Sequence, residues 1–211
     1  AARPGWEEQY QEMRAELGLT EDVPVVGTVA RFIAQKDPIT YMYAARDVLD
    51  SEPSTRFVWC GEGGDLHDRT MEVARELDVE KAFHFLGFRD DVERVMTSFD
   101  VFALSSIFEG LPYSLLEAMH GGLPVVATDV VGSRDVIVDG ETGLLVSPRN
   151  SEELAKGIIE LLRDPERRRL LGQNGRQRVA ERYGIERMVN DVQRVYCCLL
   201  YTSDAADELL G

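Results

Sequence analysis

Short, continuously apolar runs alternate with helix-like stretches along this chain, and that alternation constrains its fold more than any other feature. The runs are VPVVGTVA (23–30), RFVWC (56–60), AFHFL (82–86), DVFALS (100–105), PVVAT (124–128) and GLLV (143–146). Runs this uniformly apolar suit strands covered on both faces, as parallel strands are. Between them the spacing predicts helices over 39–49, 65–77, 90–97, 112–120 and a short 133–138. Strand–helix alternation implies right-handed crossovers, and hence an α/β fold: a doubly wound, Rossmann-like parallel sheet of about six strands with helices on both faces. After Pro148 the pattern turns helical, over 151–163, 165–183 and 185–196. Ser151 reads as a capped start and Pro165 as a first-turn proline dividing two helices. Residues 6–17 form a further helical pattern on Trp6, Tyr10, Met13 and Leu17, ended by Gly18.

The expected layout is a linker helix over 1–22, a ligand-binding Rossmann-like domain over 23–196 and a non-native or disordered tail over 197–211. Segment 198–208, CLLYTSDAADE, resembles the translation of a transposon-type sequencing adapter, so the chain is expected to be a fragment cut at both ends. A natural polar tail is the other reading of that segment.

A net charge of −15 argues against a general nucleic-acid surface, although a small anion needs only two or three local cations. Cys60, Cys197 and Cys198 have no disulfide or zinc spacing, which suits a reducing, cytoplasmic setting. No apolar run is long enough for a transmembrane helix.

In open parallel sheets ligands sit outside the carboxyl ends of the strands. The residues at those ends are Arg31 and Lys36, then Gly61-Glu62-Gly63-Gly64, Gly87-Phe88-Arg89-Asp90-Asp91, Ser105-Ser106 with FEGLP, and Thr128-Asp129. Two cations after the first strand could hold a diphosphate. On pattern alone, however, they fit a solvated loop better. Glu109 and Glu117 stand eight residues apart in the apolar segment FEGLPYSLLEAM (108–119). Pro112 suits a first helical turn, with the amides of Gly110, Leu111 and Tyr113 pointing outward toward an anion or polar ligand. Each glutamate fits an exposed helix position equally well.

GEGG is a poor dinucleotide fingerprint, because the third glycine position holds Leu66. His67, His84 and His120 are scattered, and no D-x-D, Walker lysine or nucleophile elbow occurs.

Taken together, VGTVARFIAQKD, FVWCGEG, FHFLGFRDDV and SFDVFALSSIFEGLPYSLLEAMHGGLPVVATDVVGSRDVIVDGETGLLV resemble family 4 retaining glycosyltransferases (GT4) of GT-B fold. The similarity covers roughly residues 7–196 and matches the C-terminal, nucleotide-sugar-binding half. The resemblance implies a hexosyltransferase that takes a UDP-sugar or GDP-sugar and glycosylates a glycan or lipid-linked acceptor in polysaccharide biosynthesis, without a metal or other cofactor. Its partners would be the nucleotide sugar and a missing N-terminal acceptor domain, with peripheral membrane association through that half and no nucleic acid. The alternatives are a nucleotide-binding module inactive by itself and a GT-B sugar-nucleotide epimerase.

Donor-binding roles carry over to Arg31 and Lys36 (diphosphate), Phe88, Arg89 and Asp90 (beside the base), Glu109 (sugar hydroxyls, and the catalytic residue), Gly110 and Leu111 (amides near sugar and phosphate), Glu117 (ribose diol) and Gly61. Two positions depart from the family pattern: Asp37 stands where a glycine is usual, and Asp135 where a glutamate is usual near the sixth strand.

Overall fold

The computed structural model describes residues 6–184 together with 187, 189 and 193. The adapter-like segment and most of the helix expected over 185–196 lie outside them.

The elements run α1 (Trp6–Glu16), β1 (Val25–Val29), α2 (Pro38–Ser51), β2 (Arg56–Cys60), α3 (His67–Glu76), β3 (Phe83–Gly87), α4 (Val92–Met96), β4 (Val101–Leu104), α5 (Tyr113–Gly121), β5 (Val125–Thr128), α6 (Val131–Val136), β6 (Leu144–Val146), α7 (Ser151–Arg163) and α8 (Pro165–Arg182). All six strands pair in parallel, in the order β3-β2-β1-β4-β5-β6. This is a doubly wound Rossmann-like sheet. The order reverses between β1 and β4, the kind of switch point that opens a crevice at the strand ends.

The inner strands are mostly apolar because both faces are covered, whereas the edge strand β3 is half-buried and carries His84. Val26, Phe57, Trp59, Val101, Ala103 and Val126 pack with Tyr41, Val48, Leu154 and Ile158 of α2 and α7. The alternate residues Val25, Val58, Phe102, Leu104 and Val125 pack with Met13, Val95, Leu115, Met119 and Val179 on the other side. Burying each large apolar side chain contributes about 1.5–3 kcal/mol relative to exposure.

Local chemistry sets the helix starts. The Asp164 carboxylate accepts from the Arg167 amide at 2.9 Å, with Pro165 in the first turn of α8. The cap of α7 is Asn150, which accepts from the Glu153 amide at 3.0 Å. Ser151, the expected capping residue, is instead the first helical residue.

Helix α1 packs into the second layer. Met13 is buried, and the guanidinium of Arg14 donates to the carbonyls of Thr20 (2.9 Å) and Val23 (2.8 Å) and to Asp100 Oδ2 (2.7 Å). Asp100 in turn accepts from the Val25 amide at 2.8 Å, so one carboxylate fixes α1 to the edges of β1 and β4. Among the described residues no helix is long and apolar enough to cross a membrane.

Candidate functional site

Three loops meet at the carboxyl ends of β1, β2 and β3. The Ala30 amide donates to the Cys60 carbonyl (3.0 Å), the Phe32 amide to the Gly63 carbonyl (2.9 Å) and the Gly61 amide to the Gly87 carbonyl (2.7 Å). Gly61 has φ +133°, and a Cβ there would sit 2.3 Å from the Ala30 carbonyl oxygen. Only glycine permits that approach. The GEGG stretch is thus a backbone clasp between neighbouring loops.

The loop after β1 closes with a 3-10 turn, Ala34–Lys36, that the sequence pattern did not predict. Asp37 follows with φ +46°, in the left-handed region where glycine is favoured. Aspartate is tolerated there because it serves a second purpose: its carboxylate caps α2, accepting from the Thr40 amide (3.2 Å) and hydroxyl (2.6 Å).

Across the switch point, the loop after β4 is bonded to this turn. The Ser105 hydroxyl lies 2.8 and 2.9 Å from the Lys36 and Asp37 carbonyls. The Ile107 amide donates to the Gln35 carbonyl (2.8 Å), and Gln35 Nε2 donates to the Phe108 carbonyl (3.0 Å).

Glu109 is the centre of this arrangement and only 4 % exposed. Its Oε1 accepts from Lys36 Nζ and from the Ser106 hydroxyl (2.6 Å). Ser106 is itself buried, its carbonyl accepting from the Thr128 hydroxyl at the end of β5. Two donors therefore converge on one carboxylate oxygen, and Oε2 receives neither of them.

The Gly110, Leu111 and Tyr113 amides donate to no protein group among the described residues. They lie at the start of α5, where the helix dipole favours negative charge. A Cβ at Gly110 would meet open space. The tight contact is made by Gly132 of α6, whose amide donates to the Glu109 carbonyl (3.0 Å) and whose Cβ would lie 2.5 Å from the Gly110 carbonyl oxygen.

The remaining sequence-selected residues sit around this centre in different ways. Arg31 is exposed and makes no side-chain bond to a described residue. Glu117 is exposed on α5; partial burial and then the Glu93 carboxylate push its pKa up. Phe88 is 70 % exposed, and Asp90 beside it is exposed. Arg89 is engaged elsewhere: it grips both oxygens of Asp91 (2.7 and 2.8 Å) and reaches Glu16 of α1 (2.9 Å). That fork holds the Asp91 carboxyl down at about 2. Arg94 joins both acids, so the loop after β3 is tied to α1. Asp135 is exposed on α6.

Sequence reasoning assigned no role to Ser106, Gly132 or Arg14. Phe108, Leu111, Tyr113 and Val131 are exposed apolar side chains flanking Glu109 in the chain or on α6. With Phe88 they leave the strand-end edge unusually apolar for a solvated surface. A separate hollow of about 500 Å³ between α2 and α7, lined by Tyr43, Asp47, Glu152 and Lys156 among others, contains none of the selected residues.

Residues 9–178 match the model of the family Glycosyl transferases group 1. EpsD of Bacillus subtilis (strain 168), assigned as a glycosyltransferase, is 34 % identical over 188 residues, covering 89 % of this chain and 49 % of EpsD. The UDP-Gal:α-D-GlcNAc-diphosphoundecaprenol α-1,3-galactosyltransferase of Escherichia coli is 25 % identical, covering 85 % of this chain and 47 % of the relative. The chain therefore spans about half the length of these curated relatives.

Among solved structures, sucrose-phosphate synthase from Thermosynechococcus elongatus superposes with a TM-score of 0.83 at 28 % identity, over 91 % of this chain and 49 % of that one. The C-terminal domain of LpcC, a glycosyl transferase group 1 family protein of Francisella tularensis, superposes with a TM-score of 0.73 at 25 % identity, over 87 % of this chain and 95 % of that one. By the family match across most of its length, this chain belongs to the group 1 glycosyl transferases.

Proposed function

We propose that this chain is the nucleotide-diphosphate-sugar-binding half of a retaining GT-B glycosyltransferase of family 4. In this reading the parent protein moves a hexose from a UDP-sugar or GDP-sugar to a glycan or lipid-linked acceptor, in the cytoplasm. The observation that carries the reading is the meeting of Lys36 with Glu109 at the β1/β4 switch point, beside the amides of Gly110 and Leu111. A cation, a buried carboxylate and unused amides within one crevice are the groups a sugar diphosphate needs. The E. coli relative, by its name, takes UDP-Gal and a diphosphoundecaprenol-linked acceptor, which supports this substrate class.

The chemistry follows from the placement of charge. As the diphosphate leaves the anomeric carbon, Arg31, Lys36 and the amides before α5 offset the growing negative charge, without a metal. Glu109 accepts from sugar hydroxyls. Glu117 takes the ribose diol, and Phe88 to Asp90 flank the base. In a retaining transfer the acceptor attacks the face the diphosphate leaves, so the groups that orient it belong to the acceptor half.

A second reading, a module that binds nucleotide and is inactive alone, is favoured by the half-length span relative to the curated proteins. Two experiments decide between these. Titration calorimetry of the chain with UDP and GDP should show binding of one; heat from neither at millimolar ligand would overturn both readings. Turnover of a radiolabelled sugar nucleotide by the full-length gene product, and none by this chain, is the expected pattern. Transfer by the chain alone would remove the inactive-module reading.

A further inference from the structure

Lys36 faces two claims on one ammonium group. Its Nζ is bonded to Glu109 Oε1, with the two side chains only 18 % and 5 % exposed. The turn that carries Lys36 is fixed by the Ser105 hydroxyl and by Gln35, so the ammonium stays at the crevice. A diphosphate in that crevice would compete with Glu109 for it. If Lys36 leaves, Glu109 stays buried with Ser106 as its remaining donor, and a buried carboxylate without its counter-ion is costly. Sugar hydroxyls donating to Glu109 would replace what Lys36 withdraws.

We propose that the Lys36–Glu109 pair makes this site select sugar-bearing nucleotides over the bare nucleoside diphosphate, and thereby weakens the hold on the diphosphate once the sugar has gone. Glu109 then acts as a specificity determinant in two ways. It accepts hydroxyls when a sugar is present, and it reclaims Lys36 when the sugar is absent. The inference rests on the nucleotide-sugar reading of the site and assigns product discharge to a named ion pair.

The test is calorimetry with UDP and GDP on the chain and three variants. Glu109→Gln keeps an acceptor for Ser106 but removes the negative charge that holds Lys36. It should bind the bare diphosphate about tenfold more tightly, the scale of one charge-assisted hydrogen bond. Removing any carboxylate near a phosphate could do the same by relieving repulsion, so two further variants separate the causes. Glu109→Asp keeps the charge but shortens the reach to Lys36, and should also tighten the diphosphate. In a Lys36→Gln background, adding Glu109→Gln should no longer tighten it. Unchanged or weaker binding by both Glu109→Gln and Glu109→Asp, or tightening that survives without Lys36, would overturn the proposal. If the parent chain binds neither UDP nor GDP, the underlying reading fails, a result distinct from binding that the variants leave unmoved. Should Glu109→Gln fail to fold, Glu109→Asp carries the test by itself.

Discussion

Lys36 and Glu109, 73 residues apart in the chain, form a largely buried ion pair across the gap between β1 and β4. Two glutamates in an apolar segment thus have different environments. Glu109 is buried and paired, while Glu117 stands on the exposed side of α5.

Breaking the pair from the cation side should destabilise the fold. Lys36→Ala leaves Glu109 without its counter-ion, at a cost of about 3 kcal/mol. Adding Glu109→Gln to that background should restore most of the loss, since the amide carries no charge. Urea denaturation followed by circular dichroism reads both. A Lys36→Ala midpoint equal to the parent's would mean that the pair is screened by solvent.

Arg31 should behave in the opposite way. It is exposed and unbonded among the described residues, so Arg31→Ala should change stability by less than about 0.5 kcal/mol. It should weaken UDP or GDP more than uridine or guanosine. Equal losses for nucleotide and nucleoside would place Arg31 in a solvated loop.

Glu117 is tested through the ribose. Hydrogen bonds to an ionised carboxylate contribute roughly 1.5–3 kcal/mol each. Glu117→Gln and a 2′-deoxynucleotide remove the two sides of the same contact, so their effects should be non-additive. A coupling energy of zero in a folded, binding variant would make Glu117 surface decoration.

Gly132→Ala should disturb the site through the backbone. The new methyl would lie 2.5 Å from the Gly110 carbonyl oxygen and 2.8 Å from that of Glu109, and main-chain atoms cannot rotate aside. Overpacking of this kind costs about 1–3 kcal/mol. Diphosphate affinity should fall as well, because the Gly110 amide moves. Gly110→Ala, with open space around it, should leave stability within about 0.5 kcal/mol of the parent. Equal stability of the two variants would contradict the packing of α6.

His84, in the middle of β3, supplies a pH dependence. Burial, and then the charge of Arg56, push its pKa below the ordinary value. The unfolded chain then binds a proton more readily than the folded one, so stability falls as pH drops through about 6.5. Urea midpoints at pH 7.5 and 5.5 should differ in that direction, and His84→Phe should narrow the difference. No change in slope on substitution would assign the acid sensitivity to other groups.

Much of the fold was legible because it is written in local periodicity. Each of the six apolar runs became a strand, and α7 has the bounds that its spacing predicts. The rest is long-range. Nothing near Arg14 in sequence signals Asp100, 86 residues on. Ser106 is an ordinary serine until the chain folds Glu109 back onto it. Asp37 stands where the family pattern has a glycine, and that mismatch by itself says nothing of its capping of Thr40. The Arg89 guanidinium binds Asp91 and Glu16, and the Glu16 contact, 73 residues back, has no local signal in the sequence.

The hydrogen bonds that stitch the turn at Gln35 and Lys36 to Ser105, Ile107 and Phe108 have a consequence for engineering. The two loops are not independent cassettes. Transplanting residues 105–111 from a relative, in order to change the sugar accepted, would import a segment shaped for a different partner at 34–37. A productive exchange would move both segments at once, with Thr128 and Gly132 retained as the floor on which they rest.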